Sequence, residues 1–263
     1  MNQESIFSNI LTREKGITLK SPREIESMRK AGRVVAKTLD LLVNSVRTGM
    51  KTSDLDDIAS EEIGRLGAKP SFKGYLGFPR TVCVSINEEI VHGIPGNKTL
   101  REGDIVSIDV GAIVEGFHGD HAITVGVGEI SPEKTGLLLA TKEALAKGIA
   151  AATDGARTGD IGWAIQSYAE KLGYSVVQEY VGHGIGRSLH EDPQVPNYGK
   201  PGSGTLLKKG MVIAIEPMLN IGSWETKLLD DKWTVVTLDN SLSAHFEHTI
   251  AITEGDPEVL TRL

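Results

Sequence analysis

A short pattern that occurs twice restricts what this chain can fold into. Leu100-x-x-Gly103-x-x-Val106-x-Ile108-Asp109 returns 107 positions later as Leu207-x-x-Gly210-x-x-Ile213-x-Ile215-Glu216. Asp120-His121-x-Ile123-x-Val125 returns 127 positions later as Glu247-His248-x-Ile250-x-Ile252. Each copy therefore offers two acidic residues at equivalent places. If the halves pack about a two-fold axis, Asp109, Asp120, Glu216 and Glu247 meet at one point. Four adjacent carboxylates cannot all stay ionised without cations. The repeat thus predicts a metal site.

The repeat reaches the helices. Ser21-Pro22-Arg23-Glu24 reads as a helix start, with a serine cap, proline in the first turn and glutamate closing a capping box. Ile25, Met28, Ala31, Val35, Leu39 and Leu42 then follow at the spacing of one buried helical face. Ser131-Pro132-Glu133 opens a second such helix. A shorter helix follows in each half, closed by Gly67 and by Gly173 as residues just past the C-terminus. Strands are expected at 80–86, 104–111, 119–127, 174–179, 211–221, 233–237 and 245–253. Glu115-Gly116 turns the chain so that Asp109 and Asp120 lie opposite or diagonal on adjacent antiparallel strands. The fold class expected is α+β: a curved antiparallel sheet with helices on one face and an internal pseudo-two-fold. Residues 1–20 read as an N-terminal arm and 21–263 as a single domain, with half-repeats at about 21–128 and 131–255.

Composition narrows the function. The net charge is −7, from 28 basic and 35 acidic residues, which gives no support for nucleic-acid binding. Cys83 is the one cysteine, so neither an internal disulfide nor a cysteine-type zinc site is available. Residues 1–20 carry no continuous apolar stretch, so no signal peptide is expected, and no run is long enough to span a membrane. A reducing, cytoplasmic setting fits.

An isolated aspartate in a strand is ordinarily a surface residue. Asp109 and Glu216 instead end the apolar runs Ile105-Val-Ser-Ile-Asp109 and Val212-Ile-Ala-Ile-Glu216, and a carboxylate there needs a partner. Asp120 and Glu247 sit in comparable settings. His183, in Gly182-His-Gly-Ile-Gly186, has glycines that argue for close approach of backbone or ligand. His92, in Val91-His-Gly-Ile-Pro95, and His190, in Leu189-His-Glu-Asp-Pro193, are further candidates. Imidazole with carboxylate suits zinc, manganese, iron or cobalt rather than calcium. His118 and His245 fall two residues before Asp120 and Glu247, where they would orient those ligands. His121 and His248 point to the other face and read as structural.

Taken together and in this order, Val91-His-Gly-Ile-Pro95, Ile108-Asp109 with Gly119-Asp120, Gly182-His-Gly-Ile-Gly186, Leu189-His-Glu191, Ile215-Glu-Pro-Met218 and Phe246-Glu-His-Thr249 resemble the type I methionine aminopeptidases. The resemblance covers about residues 21–255 and implies the pita-bread fold. It also implies a hydrolase that removes N-terminal methionine from nascent chains, preferably before a small second residue. By position, it implies two divalent ions, cobalt, manganese, iron, zinc or nickel, on Asp109, Asp120, His183, Glu216 and Glu247, with Asp120 and Glu247 bridging. It gives catalytic roles to Glu216 as proton relay, His190 beside the tetrahedral intermediate and His92 at the substrate amide nitrogen. Tyr75, Phe78, Cys83 and Trp233 match the methionine pocket; Phe72 and Leu189 stand where other members often carry different residues. The implied partners are a peptide or nascent-chain N-terminus and, transiently, the ribosome, with the enzyme a monomer.

Two rivals are disfavoured. Xaa-Pro peptidases of the same fold carry a large N-terminal domain, and only about 20 residues precede the first helix here. A non-catalytic binding module would have lost ligands, and all five are present.

Overall fold

A computed structural model describes residues 16–263; of the expected arm, residues 1–15 lie outside the described residues. Helix α1 (Pro22–Ser45) begins as the sequence predicts. The Ser21 hydroxyl accepts from Glu24 N–H, and the Glu24 carboxylate accepts from Ser21 N–H at 3.0 Å. Helix α2 (Thr52–Arg65) is followed by Gly67 at φ +73°. In the second half α3 (Pro132–Ala151) and α4 (Thr158–Lys171) repeat the pair, and Gly173 takes φ +87°. Such left-handed residues after a helix favour glycine, which has no Cβ to clash. The repeat is written into hydrogen bonds too. Asp54 accepts from Lys51 N–H at 3.0 Å, and Asp160 from Arg157 N–H at 2.7 Å. Lys51 bridges Thr99 as Arg157 bridges Leu206.

Among the described residues the strands pair antiparallel and form four sheets. β4 (Ile105–Val114) pairs along one edge with β5 (Phe117–Gly126) and along the other with β2 (Val82–Ile86) and then β1 (Lys69–Pro70). The largest sheet joins β7 (Gly182–Gly184), β8 (Glu191–Val195), β9 (Val212–Ile215), β14 (His248–Ala251) and β15 (Glu258–Val259) in the order β15-β14-β9-β7-β8. The two smaller sheets are β13-β10-β6, of Ser243–His245, Met218–Asn220 and Ser175–Val176, and β11-β12-β3, of Thr226–Leu228, Val235–Thr237 and Glu89–Val91.

Two expected strands are each cut in half, and the cuts fall at the second-half carboxylates. β9 ends at Ile215 and β10 resumes at Met218, leaving Glu216-Pro217 between them. Pro217 has no N–H for a ladder bond. Likewise β13 ends at His245 and β14 starts at His248, with Phe246-Glu247 in the gap. The expected strand 174–179 shrinks to β6.

Each half has its own core on the helix-covered face. Val35, Leu39 and Leu42 of α1 and Leu55 and Ile63 of α2 pack on Val82, Val84, Val106, Ile108 and Val110. Leu137, Leu145, Ile161 and Ile165 pack on Ile213, Ile215 and Ile250. Burying each such side chain contributes about 1.5–3 kcal/mol, so the strands are held firmly where their opposite faces carry charge. Between the halves runs a seam in which threonine hydroxyls stand in for ladder partners. Thr249 Oγ1 accepts from Asp120 N–H at 3.0 Å and donates to Asp120 O at 2.8 Å. Thr124 Oγ1 does the same for His245, at 2.8 Å in both directions, and Glu247 N–H donates to Ala122 O at 2.9 Å.

Candidate metal centre

The register of β4 on β5 pairs Asp109 with Ala122 and Gly111 with Asp120. Asp109 and Asp120 are therefore diagonal neighbours on one sheet face, as the sequence predicts. On the other side of the seam, His248 pairs with Ile215, so Glu216 and Glu247 face each other one step beyond the β9–β14 ladder. The two acidic pairs meet across the seam, where Asp120 and Glu247 are 4% and 2% exposed.

His183 arrives on β7, between β8 and β9, paired with Gln194 and Ala214. Its glycine neighbours have a steric reason. A Cβ at Gly182 would lie 2.4 Å from Ala214 O, and one at Gly184 would lie 2.2 Å from Asp192 O. Backbone approaches too closely there for any side chain. His183 Nδ1 lies 2.8 Å from Gly184 O, an acceptor only, so Nδ1 carries the proton and donates. In the neutral ring that leaves the Nε2 lone pair free to bind a metal. Nε2 is 3.6 Å from Glu216 Oε1. Ligand atoms of Asp120, His183 and Glu247 all lie within 4.8 Å of one another.

Electrostatics show that this cluster lacks enough positive charge of its own. Burial pushes Asp109 up to about 7, against the opposing hydrogen bond from Asp120. Asp120 is raised well above the usual range by burial, then by Glu247 and Asp109. Burial and repulsion from Asp120 and Asp109 raise Glu216; burial and repulsion from Glu216 and Asp109 raise Glu247. Burial lowers His183 to about 4, so it stays neutral and cannot balance the acids. Asp109 Oδ1, Asp120 Oδ1 and Glu247 Oε1 are buried without a hydrogen-bond partner. Orphaned buried oxygens are rare and call for an ion. The donor set fits divalent cations: hard carboxylates with one imidazole.

All five candidate ligands line one cavity of about 60 Å³. The same cavity is also lined by Phe72, Tyr75, Phe78, Cys83, Leu189 and Trp233. Phe78 and Trp233 meet edge to face with ring centres 5.0 Å apart. Cys83 pairs with Asp109 across β2 and β4, and burial raises its thiol, followed by the nearby carboxylates. A thiol so placed packs like a small hydrophobe. His92 and His190 line the cavity too. His190 lies 4.3 Å from His183 ring to ring, and its Nδ1 is 2.7 Å from the Tyr75 hydroxyl. Burial, then the neighbouring His183, His92 and His118, hold His190 well below its ordinary value. His92 sits at φ +61°, edge-on to Tyr180 and Trp233, and burial lowers it to about 4. A non-glycine residue held there stores strain, which a functional site tolerates.

Three placements differ from expectation or were not legible. His118 hydrogen-bonds Ser71 at 2.9 Å rather than Asp120. His245 Nε2 approaches Glu216 Oε2 at 3.9 Å, because the chain breaks strand geometry before Glu247. Tyr75 is more than a pocket wall: it grips His190 from 115 positions away, a pairing with no sequence signal. His121 and His248 do face away, stacked with centres 4.2 Å apart.

A buried acid cluster at the seam of two related halves defines a metallopeptidase of pita-bread fold, and residues 26–254 match metallopeptidase family M24, to which the chain belongs. Within that family it belongs with the bacterial-type methionine aminopeptidases. It is 55% identical to methionine aminopeptidase 1 of Bacillus subtilis, over 94% of this chain and 100% of that one. It superposes on the crystal structure of the Thermotoga maritima methionine aminopeptidase with a TM-score of 0.93, at 48% identity, over 94% of this chain and 100% of the other. The prolidase of Pyrococcus furiosus, at 22% identity and a TM-score of 0.77 over 99% of this chain and 68% of its own, shares the fold alone.

Proposed function

We propose that this chain is a dinuclear-metal aminopeptidase that hydrolyses the N-terminal methionine from nascent proteins and peptides, preferably when the second residue is small. The observation that carries the reading is one cavity lined by the four acids and His183 together with a set of apolar side chains. Asp109, Asp120, His183, Glu216 and Glu247 would hold the two ions. Cobalt, manganese, iron, zinc or nickel suits these donors, and supply decides among them. When bound, divalent ions supply polarisation of the scissile carbonyl and a water of lowered pKa.

The chain's own residues do the rest. The apolar wall of Tyr75, Phe78, Cys83 and Trp233 takes the methionine side chain. The Tyr75 hydroxyl donates to His190 Nδ1, so Nε2–H donates to the oxygen that gains charge during hydrolysis. His92, neutral like His190, accepts from the substrate's amide nitrogen. Glu216, by its likeness to the family, would relay a proton from the attacking water to the departing amine. Residues 21–263 act as one domain, with half-repeats at about 21–128 and 131–255. By its likeness to the family the enzyme works as a cytoplasmic monomer and meets nascent chains transiently at the ribosome.

The test is methionine release from Met-Ala-Ser, Met-Lys-Ser and a proline-second control by protein reconstituted with manganese or cobalt. Release from Met-Ala-Ser well above Met-Lys-Ser supports the reading. Cleavage confined to the proline peptide, or none by metal-loaded protein, refutes it.

A further inference from the structure

Lys20 precedes α1, yet only 5% of its side chain is exposed. A lysine so buried needs full pairing. Its ammonium donates to Glu191 Oε2 at 2.7 Å, Thr18 Oγ1 at 2.8 Å and Thr18 O at 3.3 Å. Its backbone N–H donates to Gly210 O at 2.7 Å, which ties the segment to the turn before β9. Glu191 opens β8 and directly follows His190. Its other oxygen accepts from Ser188 N–H at 3.1 Å, so one carboxylate closes the loop from within while Lys20 grips it from without. A Cβ at Gly186 would lie 2.6 Å from Glu191 Oε1 and 2.7 Å from Lys20 Cε, so any larger residue there would push the pair aside. Elsewhere on the same turn, His118 N–H donates to Gly186 O at 2.8 Å, and Arg187 lies over the Phe117 ring at 4.3 Å. The turn carries Leu189 and His190 into the cavity.

We propose that Lys20 is a positioning residue: through Glu191 it fixes the Gly186–Glu191 turn so that His190 meets the substrate. This rests on the role given to His190 above. Removing the ammonium leaves the partly buried Glu191 carboxylate with only Ser188 N–H and the Thr18 hydroxyl as partners, at 3.1 Å each, and it then draws in water at the expense of the turn. Displacement of a catalytic group by about 1 Å costs up to about a hundredfold in rate.

The experiment is a double-mutant cycle of Lys20→Ala and His190→Ala in the metal-reconstituted full chain, measured with Met-Ala-Ser. Bound metal and Tm are recorded for each variant. Lys20→Ala is expected to lower kcat by about tenfold or more, with KM within about twofold and metal content unchanged. In the His190→Ala background it should cost nothing further. Ser21→Ala, which removes the cap of α1 next door, is expected to lower Tm without that loss of kcat. If Lys20→Ala does not fold, the near-isosteric Glu191→Gln must show the same pattern. Losses that add across the cycle, or a Ser21→Ala variant equally slow, overturn the proposal. A His190→Ala enzyme with undiminished kcat would overturn the role of His190 itself, a separate result.

Discussion

Divalent ions should stabilise this protein, because its buried acids are costly to ionise without them. Asp109 is displaced from 3.8 to about 7 by burial. Holding that one carboxylate ionised at pH 7 without a cation therefore costs about 4 kcal/mol, at 1.36 kcal/mol per unit. Three more carboxylates are raised beside it. A divalent ion relieves that cost, and at one hundred times its Kd it adds about 2.7 kcal/mol to stability. For a chain of this size that corresponds to a rise in Tm of about 5–10 °C. The assay is calorimetry of chelator-dialysed protein at pH 7.5 with and without manganese. At pH 5.5 the rise should shrink, because each ion must first displace protons. An Asp120→Asn/Glu247→Gln double variant should show no rise. An equal rise in that variant, or none in the wild type, would refute the reasoning.

Three further outcomes follow from the same geometry. In chelated protein the raised carboxyls bind more protons folded than unfolded, so their stabilisation is present below pH 4 and lost as pH climbs through their folded values. His183 and His92, lowered to about 4, act oppositely, but their contribution is complete above about pH 6.5. The urea midpoint of chelated protein should therefore fall between pH 6.5 and 8, and a rise there would contradict the sign. Tyr75→Phe removes the hydroxyl that orients His190 and should lower kcat by about tenfold or more at unchanged Tm, as steady-state kinetics would show. Gly182→Ala puts a methyl 2.4 Å from Ala214 O and should cost about 1–3 kcal/mol while weakening metal uptake through His183, measurable by urea unfolding and titration.

Much of the framework was legible because it is local. The caps at Ser21 and Ser131, the glycines ending α2 and α4, and the alternation that puts Asp109 and Asp120 on one face all depend on near neighbours. The carboxylate cluster was legible for a different reason: a repeat converts one placement into two. Sequence periodicity could not show β7, since two of its three residues are glycines with no side chain to alternate. Nor could it show that Glu216 and Glu247 sit in breaks, where Pro217 and the seam interrupt the ladders. Long-range pairings left no trace at all. Tyr75 on His190 and Lys20 on Glu191 join residues that only the folded chain brings together. The left-handed backbone at His92 is likewise imposed by packing, not by its own residue type.

The central claim is that the repeat gathers Asp109, Asp120, Glu216 and Glu247, with His183, around divalent ions. Anomalous diffraction from crystals soaked in manganese tests it most directly. The account predicts two peaks per chain, each within bonding distance of Asp120 and Glu247, with Asp109 beside one and His183 and Glu216 beside the other. The peak on the Asp109 side should be the weaker, because no imidazole supports it. Peaks away from these residues, or none at saturating manganese, would contradict it.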